Sequence, residues 1–222
     1  MSTDPRIART RKRLREALLA LIEERDLVAI NVQEITQSAR VNRTTFYLHY
    51  RSKEELLADA IDSLIEEIVV LNDEVRVLIE SAPDLNVFTP PIDEPSLYDY
   101  FEKRPRLFRK LFQAEIGISF VIKLQRFYEE QFIDIWNARH LVAAPGTPSA
   151  EFRARFASGA ILAVISKNVV DDTPEKIQDY NLWGWELLLP LWSTMIVDSE
   201  ISTPPRTTVA ELGSSSSVSP AR

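Results

Sequence analysis

The sequence contains no cysteine, only five glycines and only two histidines among its 222 residues. Without cysteine there is no disulfide, no thiolate nucleophile and no thiolate-bound zinc, so a reducing compartment such as the cytoplasm is expected. The scattered glycines form no phosphate-binding loop, and His49 and His140 form no metal-binding motif. We therefore expect no enzymatic activity, no metal and no cofactor.

Long uninterrupted apolar runs are also lacking. Residues 1–26, MSTDPRIARTRKRLREALLALIEERD, are basic and then amphipathic, without the apolar core or the small-residue cleavage site of a signal peptide. No segment is typical of a membrane span, so no membrane partner is expected. The apolar content of 45% is nevertheless enough to bury a sizeable core, which predicts order for most of the chain.

Charge is divided unevenly along the chain, whose overall formal charge is −7. Residues 1–53 hold 11 Lys+Arg against 6 Asp+Glu, whereas the remainder holds 15 against 27. A basic N-terminal region on an acidic body predicts that only the N-terminal region meets a polyanion.

Helix signals are densest in the N-terminal region. An apolar stripe at helical spacing predicts a first helix and consists of Ile7, Leu14, Ala17, Leu18, Leu21 and Ile22. Asn31 followed by Glu34 has the pattern of a capping box and opens a second helix. That helix lasts about two turns, because Asn42 is another good cap and begins a short third helix. Ser52 and Glu55 repeat the capping box before a long fourth helix that reaches about residue 80.

The third helix has one apolar face and several polar ones. Phe46 and Tyr50 are four residues apart, so they share a face and would anchor the helix on the other two. The remaining faces carry hydrogen-bond donors and methyl groups from Arg43, Thr44, Thr45, Tyr47 and His49. Two short helices joined by a tight turn, the second with an exposed cationic face, form the geometry that enters the major groove of DNA.

These segments resemble the helix-turn-helix of the TetR family of bacterial repressors. The resemblance is carried by ITQSARV at 35–41, NRTTFYLHY at 42–50 and SKEEL at 52–56, within the first quarter of the chain. Arg40 stands where that family usually has glycine, and Thr36 where it usually has alanine. An arginine in a left-handed turn would cost on the order of 1 kcal/mol. These departures keep a second interpretation open, a helical ligand-binding or protein-interaction module with impaired DNA binding.

The resemblance implies a set of DNA-binding residues, namely Asn31, Asn42, Arg43, Thr44, Thr45, Tyr47, His49 and Lys53. Arg43 would read guanine through two parallel hydrogen bonds, and Thr44 would contact a base edge. Thr45, Tyr47 and His49 would contact the sugar-phosphate backbone. Lys53 and the helix end at Asn31 would each hold a phosphate, because helix dipole and amides favour an anion there. Taken singly, Tyr47 could be a packing residue and His49 a solvated one; Phe46 we assign to the core.

The acidic body at residues 53–202 shows helical patterns and no alternating strand pattern, which predicts an all-α fold. A proline-rich stretch after the fourth helix predicts a long loop, and a long amphipathic helix is predicted at 119–140. The middle helices carry many aromatic residues, among them Phe101, Phe108, Phe112, Phe120 and Phe127. Two interpretations remain open for this set: a hydrophobic core, or the lining of a pocket for a small-molecule effector.

The last two helices carry more apolar surface than one chain readily covers. Gly159 and Ala163 would allow close approach of a second helix, and Trp185 and Leu189 would complete the surface. The resemblance implies that these helices pair with their copies in a homodimer, placing two recognition helices ~34 Å apart on DNA. The alternative is that this surface packs against the fourth helix of the same chain.

Three regions are therefore predicted: a DNA-binding domain at 1–52, an effector-binding and dimerisation domain at 53–202, and a disordered tail at 203–222, which is rich in Ser, Pro and Gly. The predicted function is that of a cytoplasmic, homodimeric transcriptional regulator. It would act as a repressor on a palindromic double-stranded operator and be released by a small-molecule effector of unidentified nature.

Overall fold

The computed structural model describes residues 5–81, 97–170, 186–188, 190 and 195–197. The proline-rich loop, Trp185, Leu189 and the C-terminal tail lie outside the described residues. The helices are α1 (Pro5–Glu24), α2 (Val32–Ala39), α3 (Arg43–His49), α4 (Lys53–Ser81), α5 (Leu97–Glu102), α6 (Pro105–Gln113), α7 (Ile118–Ala138) and α8 (Ala150–Val170). Two 3-10 turns at Leu27–Ala29 and Glu115–Gly117 and two strands, β1 (Leu141–Ala143) and β2 (Met195–Val197), complete the described elements.

The N-terminal part of the molecule, α1 to α3 with the first turns of α4, is built around the apolar stripe of α1. Leu14, Leu18 and Ile22 are fully buried, and α1 packs on both α2 and α4. Ile7 was predicted to belong to this stripe, but it is 40% exposed because it lies on the first turns of the helix, ahead of the packed region. We call α1 to α3 the head.

The body consists of the later part of α4 with α5 to α8, and α7 packs on both α4 and α8. One continuous hydrophobic core runs from Leu14 in the head through Ile61 of α4 to Phe120 and Ile165 in the body. The head is therefore attached through packed side chains as well as through the chain itself. The division between residues 52 and 53 stays a prediction, since the first turns of α4 bury their apolar residues with the head.

The turn before α7 depends on a glycine. A Cβ placed on Gly117 would lie 1.8 Å from the carbonyl oxygen of Leu111, well inside van der Waals contact. Only a residue without a side chain allows α6 and α7 to approach this closely.

The all-α fold class is confirmed, with one addition that the sequence did not predict. β1 pairs antiparallel with β2 in the register Leu141 to Val197, forming a two-stranded sheet. Strands of three residues are too short to show an alternating pattern, so their pairing is not visible in the sequence. The helix predicted at 119–140 is confirmed as Ile118–Ala138, and the fourth helix ends at Ser81.

Among the described residues, none of the helices combines the length and the apolar character needed to cross a lipid bilayer.

Candidate nucleic-acid interface

Helix α3 is short, but both of its ends and its rear face are held in place. The side-chain oxygen of Asn42 accepts a hydrogen bond from the backbone N–H of Thr44 at 2.9 Å, which caps the helix start. Phe46 is fully buried behind the helix, and Tyr50 ends it with only 2% of its surface exposed. The assignment of Phe46 to the core is confirmed, and the opposite face of α3 is left outward.

The turn between α2 and α3 accommodates both departures from the family pattern. Arg40 adopts the left-handed conformation, with φ 52° and ψ 47°, and its carbonyl accepts a hydrogen bond from Arg13 at 2.9 Å. The buried hydroxyl of Thr36 donates to the carbonyl of Gln33 at 2.9 Å. A backbone N–H from Val41 to the Thr36 carbonyl at 3.0 Å closes the turn. The corner therefore has the backbone shape that glycine would give.

The outward face of α3 carries the predicted base-reading residues. Arg43, Thr44 and Tyr47 are exposed, Tyr47 by 49%, while Thr45 and His49 are half-buried. The guanidinium of Arg43 lies over the ring of Tyr47, 5.7 Å from its centroid, and an N–H of Arg43 is 3.4 Å from the Tyr47 hydroxyl. Tyr47 thus directs the side chain of Arg43 along the helix surface.

Leu48 belongs to the same surface, and sequence reasoning missed it. It is 78% exposed and lies one helical turn after Thr44. An exposed leucine beside threonine methyl groups suits contact with thymine methyls or sugar carbons. The sequence contained a signal for its exposure, because Thr44 and Leu48 are four residues apart and share a face opposite Phe46.

Two predicted phosphate contacts have structural roles in the described chain. Asn31 and Glu34 form the expected capping box, with hydrogen bonds of 3.0 Å and 2.9 Å between side chain and backbone. The Lys53 ammonium donates to the carbonyls of Leu27 and Ile30, both at 2.7 Å, and approaches that of Val28 at 3.4 Å. The three donors of Lys53 are therefore directed at the 3-10 turn, and its phosphate contact stays a prediction.

A charged cluster that the sequence did not reveal ties the head to α4. The carboxylate of Asp59 accepts hydrogen bonds from Arg11 at 2.5 Å, Arg15 at 3.1 Å and the Tyr50 hydroxyl at 2.5 Å. Arg11 also donates to the Tyr50 oxygen at 3.1 Å. We call these four residues the Asp59 cluster. It joins α1, the end of α3 and α4 through one carboxylate.

Protonation equilibria in the Asp59 cluster favour a neutral phenol and an ionised carboxylate. Burial, followed by the hydrogen bond to Asp59, raises the pKa of Tyr50 to about 12. Burial opposes ionisation of Asp59, but the hydrogen bonds from Tyr50 and Arg15 and the two cationic charges outweigh it and lower the pKa of Asp59. At neutral pH the phenol therefore donates and the carboxylate accepts.

The aromatic residues of the body pack mainly on one another. Phe101 and Phe108 have ring centroids 4.7 Å apart, and Phe112 lies 5.6 Å from Phe120. Phe127 lies apart from these four rings and contacts Tyr128 at 5.2 Å. Of the five predicted phenylalanines, all except the half-buried Phe112 are at least 94% buried. This arrangement favours the core interpretation, and a role in effector binding stays a prediction.

Helix α8 has an outward apolar face that includes the predicted Gly159 and Ala163. Phe152 and Phe156 precede them at helical spacing and are 62% and 59% exposed. A Cβ built on Gly159 meets no atom of the described chain within 4 Å. The inner side of α8 packs mainly on α7 and α6 rather than on α4. The face of Phe152, Phe156, Gly159 and Ala163, here called the α8 face, is open within the described part of the chain.

Within the ranges that the structure describes, no group of three or more histidine, aspartate or glutamate side chains is placed to bind a metal ion.

A capped third helix with its cationic side outward, set across a tight corner from α2, defines a helix-turn-helix DNA-binding domain. Residues 14–60 match the model of the bacterial regulatory proteins of the tetR family. The N-terminal segment therefore has the DNA-binding domain of the TetR family.

A curated relative also matches part of the chain. The HTH-type transcriptional regulator YxbF of Bacillus subtilis strain 168 is 42% identical over 67 residues. The match covers 30% of this chain and 18% of that protein, so the chain spans about a fifth of the length of this relative.

Solved structures share the fold of the chain. The dihydroxyacetone kinase operon activator DhaS has a TM-score of 0.58 at 20% identity, over 82% of this chain and 94% of that structure. Thermus thermophilus FadR, a TetR-family transcriptional repressor in complex with lauroyl-CoA, has a TM-score of 0.51 at 18% identity, over 81% of this chain and 93% of that structure. At these identities the likeness establishes the fold.

Proposed function

We propose that the protein is a sequence-specific DNA-binding regulator that acts as a homodimer on a palindromic operator. The observation that carries this proposal is the outward placement of Arg43, Thr44 and Tyr47 on a helix pinned from behind by Phe46. Arg43 would read guanine, and the half-buried Thr45 and His49 would lie against the sugar-phosphate backbone. The conformation of Arg40 weighs against impaired DNA binding, because the corner keeps its left-handed shape.

The homodimer is proposed to form through the α8 face. Large exposed apolar patches on soluble proteins mark interaction sites, and two phenylalanines above half exposure on one helix are such a patch. Small residues at 159 and 163 next to them leave room for a second helix to approach. A twofold pair joined here would present two copies of α3 to successive major grooves.

Repression with release by a small molecule completes the proposal. Occupying an operator requires only DNA binding, whereas activation also requires a contact with the transcription machinery, so repression is the simpler mechanism. Neighbours with this fold include DhaS, described as an activator, and FadR, described as a repressor bound to lauroyl-CoA. An effector would act by favouring a head spacing that the operator disfavours.

Selection of fragments from a random DNA pool by the full chain tests the DNA-binding function. We expect a palindromic motif to be enriched and the affinity for it to fall linearly with log salt concentration. A scrambled fragment serves as the control and should bind at least ~10³-fold more weakly. Enrichment of no motif would contradict the proposal. A reporter gene placed downstream of the selected operator then shows whether the protein represses or activates transcription. We expect lower expression when the protein is present.

A further inference from the structure

A cavity of about 450 Å³ lies where the head meets the body. Its walls come from α1, α4, α5 and α6, and we call it the junction cavity. The volume is within the ~300–1,000 Å³ that is typical of small-molecule sites. Of the five phenylalanines predicted to bind an effector, Phe108 lines this cavity, and the other four do not, namely Phe101, Phe112, Phe120 and Phe127. The junction cavity thus borders the aromatic core of the body at Phe108.

The lining is apolar inside and mostly cationic around the rim. Leu19 of α1, Leu64 of α4 and Phe108 of α6 form apolar walls and are buried. The charged groups are four cations, Lys12, Arg15, Lys103 and Arg104, against two carboxylates, Glu16 and Glu67. Such a lining favours a ligand with a compact apolar part and a negatively charged group.

Several of these charges are already paired, which identifies the groups that remain for a ligand. Arg104 donates to Glu23 at 2.5 Å, and the hydroxyl of Tyr100 donates to Glu67 at 2.8 Å, so this carboxylate is already hydrogen-bonded. Burial raises the pKa of Tyr100, which keeps its phenol protonated as a donor.

Within the described ranges of the chain, two ammonium groups at the rim make no hydrogen bond. The Lys12 ammonium is 3.8 Å from the Glu16 carboxylate, beyond hydrogen-bond distance. Lys103 is exposed and has no ion pair or hydrogen bond within the part of the chain that the structure describes. Lys12 belongs to the head and Lys103 follows α5 in the body, so an anion bound by both would contact both parts of the molecule.

We propose that the junction cavity binds a small organic anion, an aromatic or short aliphatic carboxylate or phosphate ester, which bridges Lys12 of the head and Lys103 of the body. Ala60 and Ser63 of α4, the helix that links the recognition helix to the body, also line the cavity. Bound ligand therefore fixes one angle between head and body. By linkage, it changes operator affinity by the same factor by which operator changes ligand affinity. This regulatory part rests on the DNA-binding function proposed above, whereas the binding site itself does not.

Calorimetric titration of the full chain, without DNA, tests the site. The probes are benzoate and phenyl phosphate, with benzyl alcohol and benzylamine as neutral and cationic controls of similar size. We expect the two anions to bind at millimolar concentration or below, and the two controls to bind at least tenfold more weakly, a difference of ~1.4 kcal/mol. Equal binding of benzyl alcohol, or no binding of either anion, would overturn the proposal.

Variants locate the bound anion. Lys103→Glu should weaken binding of phenyl phosphate about tenfold, because an attractive charge becomes a repulsive one. Arg106→Glu is the matched control, since Arg106 is an exposed residue of the neighbouring α6 that does not line the cavity and gives the same charge change. Ser63→Phe fills the cavity and should abolish binding, while Ser63→Ala should not. Unchanged binding in Lys103→Glu or in folded Ser63→Phe would refute the site.

The regulatory part of the proposal is tested separately. The affinity of the protein for the selected operator fragment is measured with and without saturating phenyl phosphate. We expect a change of about fivefold or more, which Lys103→Glu should reduce. If no operator is found, the DNA-binding proposal fails while the calorimetric result on the cavity stands. Binding of the anion with unchanged operator affinity would overturn the regulatory part alone.

Discussion

Helices α3 and α8 each have an exposed face, but the two faces differ in chemistry. The α3 face consists of a cation, hydroxyl groups and one leucine, and water solvates all of these groups well except Leu48. The α8 face holds two phenylalanines that are 62% and 59% exposed. Water solvates an exposed arginine well, whereas an exposed apolar patch costs free energy until a partner covers it. The comparison supports both proposals, a polyanion as the partner of α3 and an apolar protein surface as the partner of α8.

The largest effect is expected at the α8 face. Phe156→Glu should raise the dimer dissociation constant at least ~30-fold, which corresponds to the ~2 kcal/mol or more of an interface hot spot. Sedimentation at several protein concentrations measures it. Ile122→Glu is the matched control, because Ile122 is 60% exposed on α7 and outside the α8 face. A dimer that survives Phe156→Glu but dissociates with Ile122→Glu would place the interface on α7 and break the comparison.

The next effect is expected on DNA. Arg43→Ala should cost ~1–3 kcal/mol per half-site and relax base preference at one position, because it removes a bidentate contact to guanine. Fluorescence anisotropy on the operator and on its single-base variants measures both quantities. Arg51→Ala is the control, since Arg51 is exposed and basic but lies beyond the end of α3. Equal losses on operator and random DNA for Arg43→Ala would show that the α3 face only attracts phosphate.

A variant of Lys53 distinguishes a structural role of this side chain from a DNA-binding role. Lys53→Met removes two short hydrogen bonds to the carbonyls of Leu27 and Ile30, so the free energy of unfolding should fall by about 2 kcal/mol. Denaturant unfolding measures this loss, and Lys12→Met, which removes only a 3.8 Å ion pair, should change stability by less than ~0.5 kcal/mol. Unchanged stability together with weaker binding to all DNA sequences would instead support the predicted phosphate contact of Lys53.

The smallest effect concerns the corner before α3. Arg40→Gly should be more stable than Arg40→Ala by about 1 kcal/mol, because alanine keeps the left-handed strain that glycine relieves. The gain is reduced by the greater entropy of a glycine in the unfolded chain. Thermal unfolding of the two variants gives the difference, and an alanine variant of equal or greater stability would show that φ 52° carries no strain here.

Local signals in the sequence were sufficient for α3 and insufficient for its surroundings. The caps at Asn31 and Asn42 and the burial of Phe46 follow from spacing, because the interacting residues lie within four positions of one another. The contacts of Lys53 and Asp59 join residues 9 to 48 positions apart, and no periodic pattern in the sequence predicts them. The α8 face was only partly found, because apolar residues surround that helix and the exposed phenylalanines look no different from buried ones.

The Asp59 cluster also determines where the molecule can bend. With α1, the end of α3 and the start of α4 joined at one carboxylate, the head and the first two turns of α4 form a single stiff unit. From Asp59 to Ser81, α4 extends about 33 Å at 1.5 Å per residue. Pivoting this length by ~10° from its far end would carry the head roughly 6 Å, close to two base-pair steps of DNA. A small rotation deep in the body would thus be enough to move the head out of register with its groove.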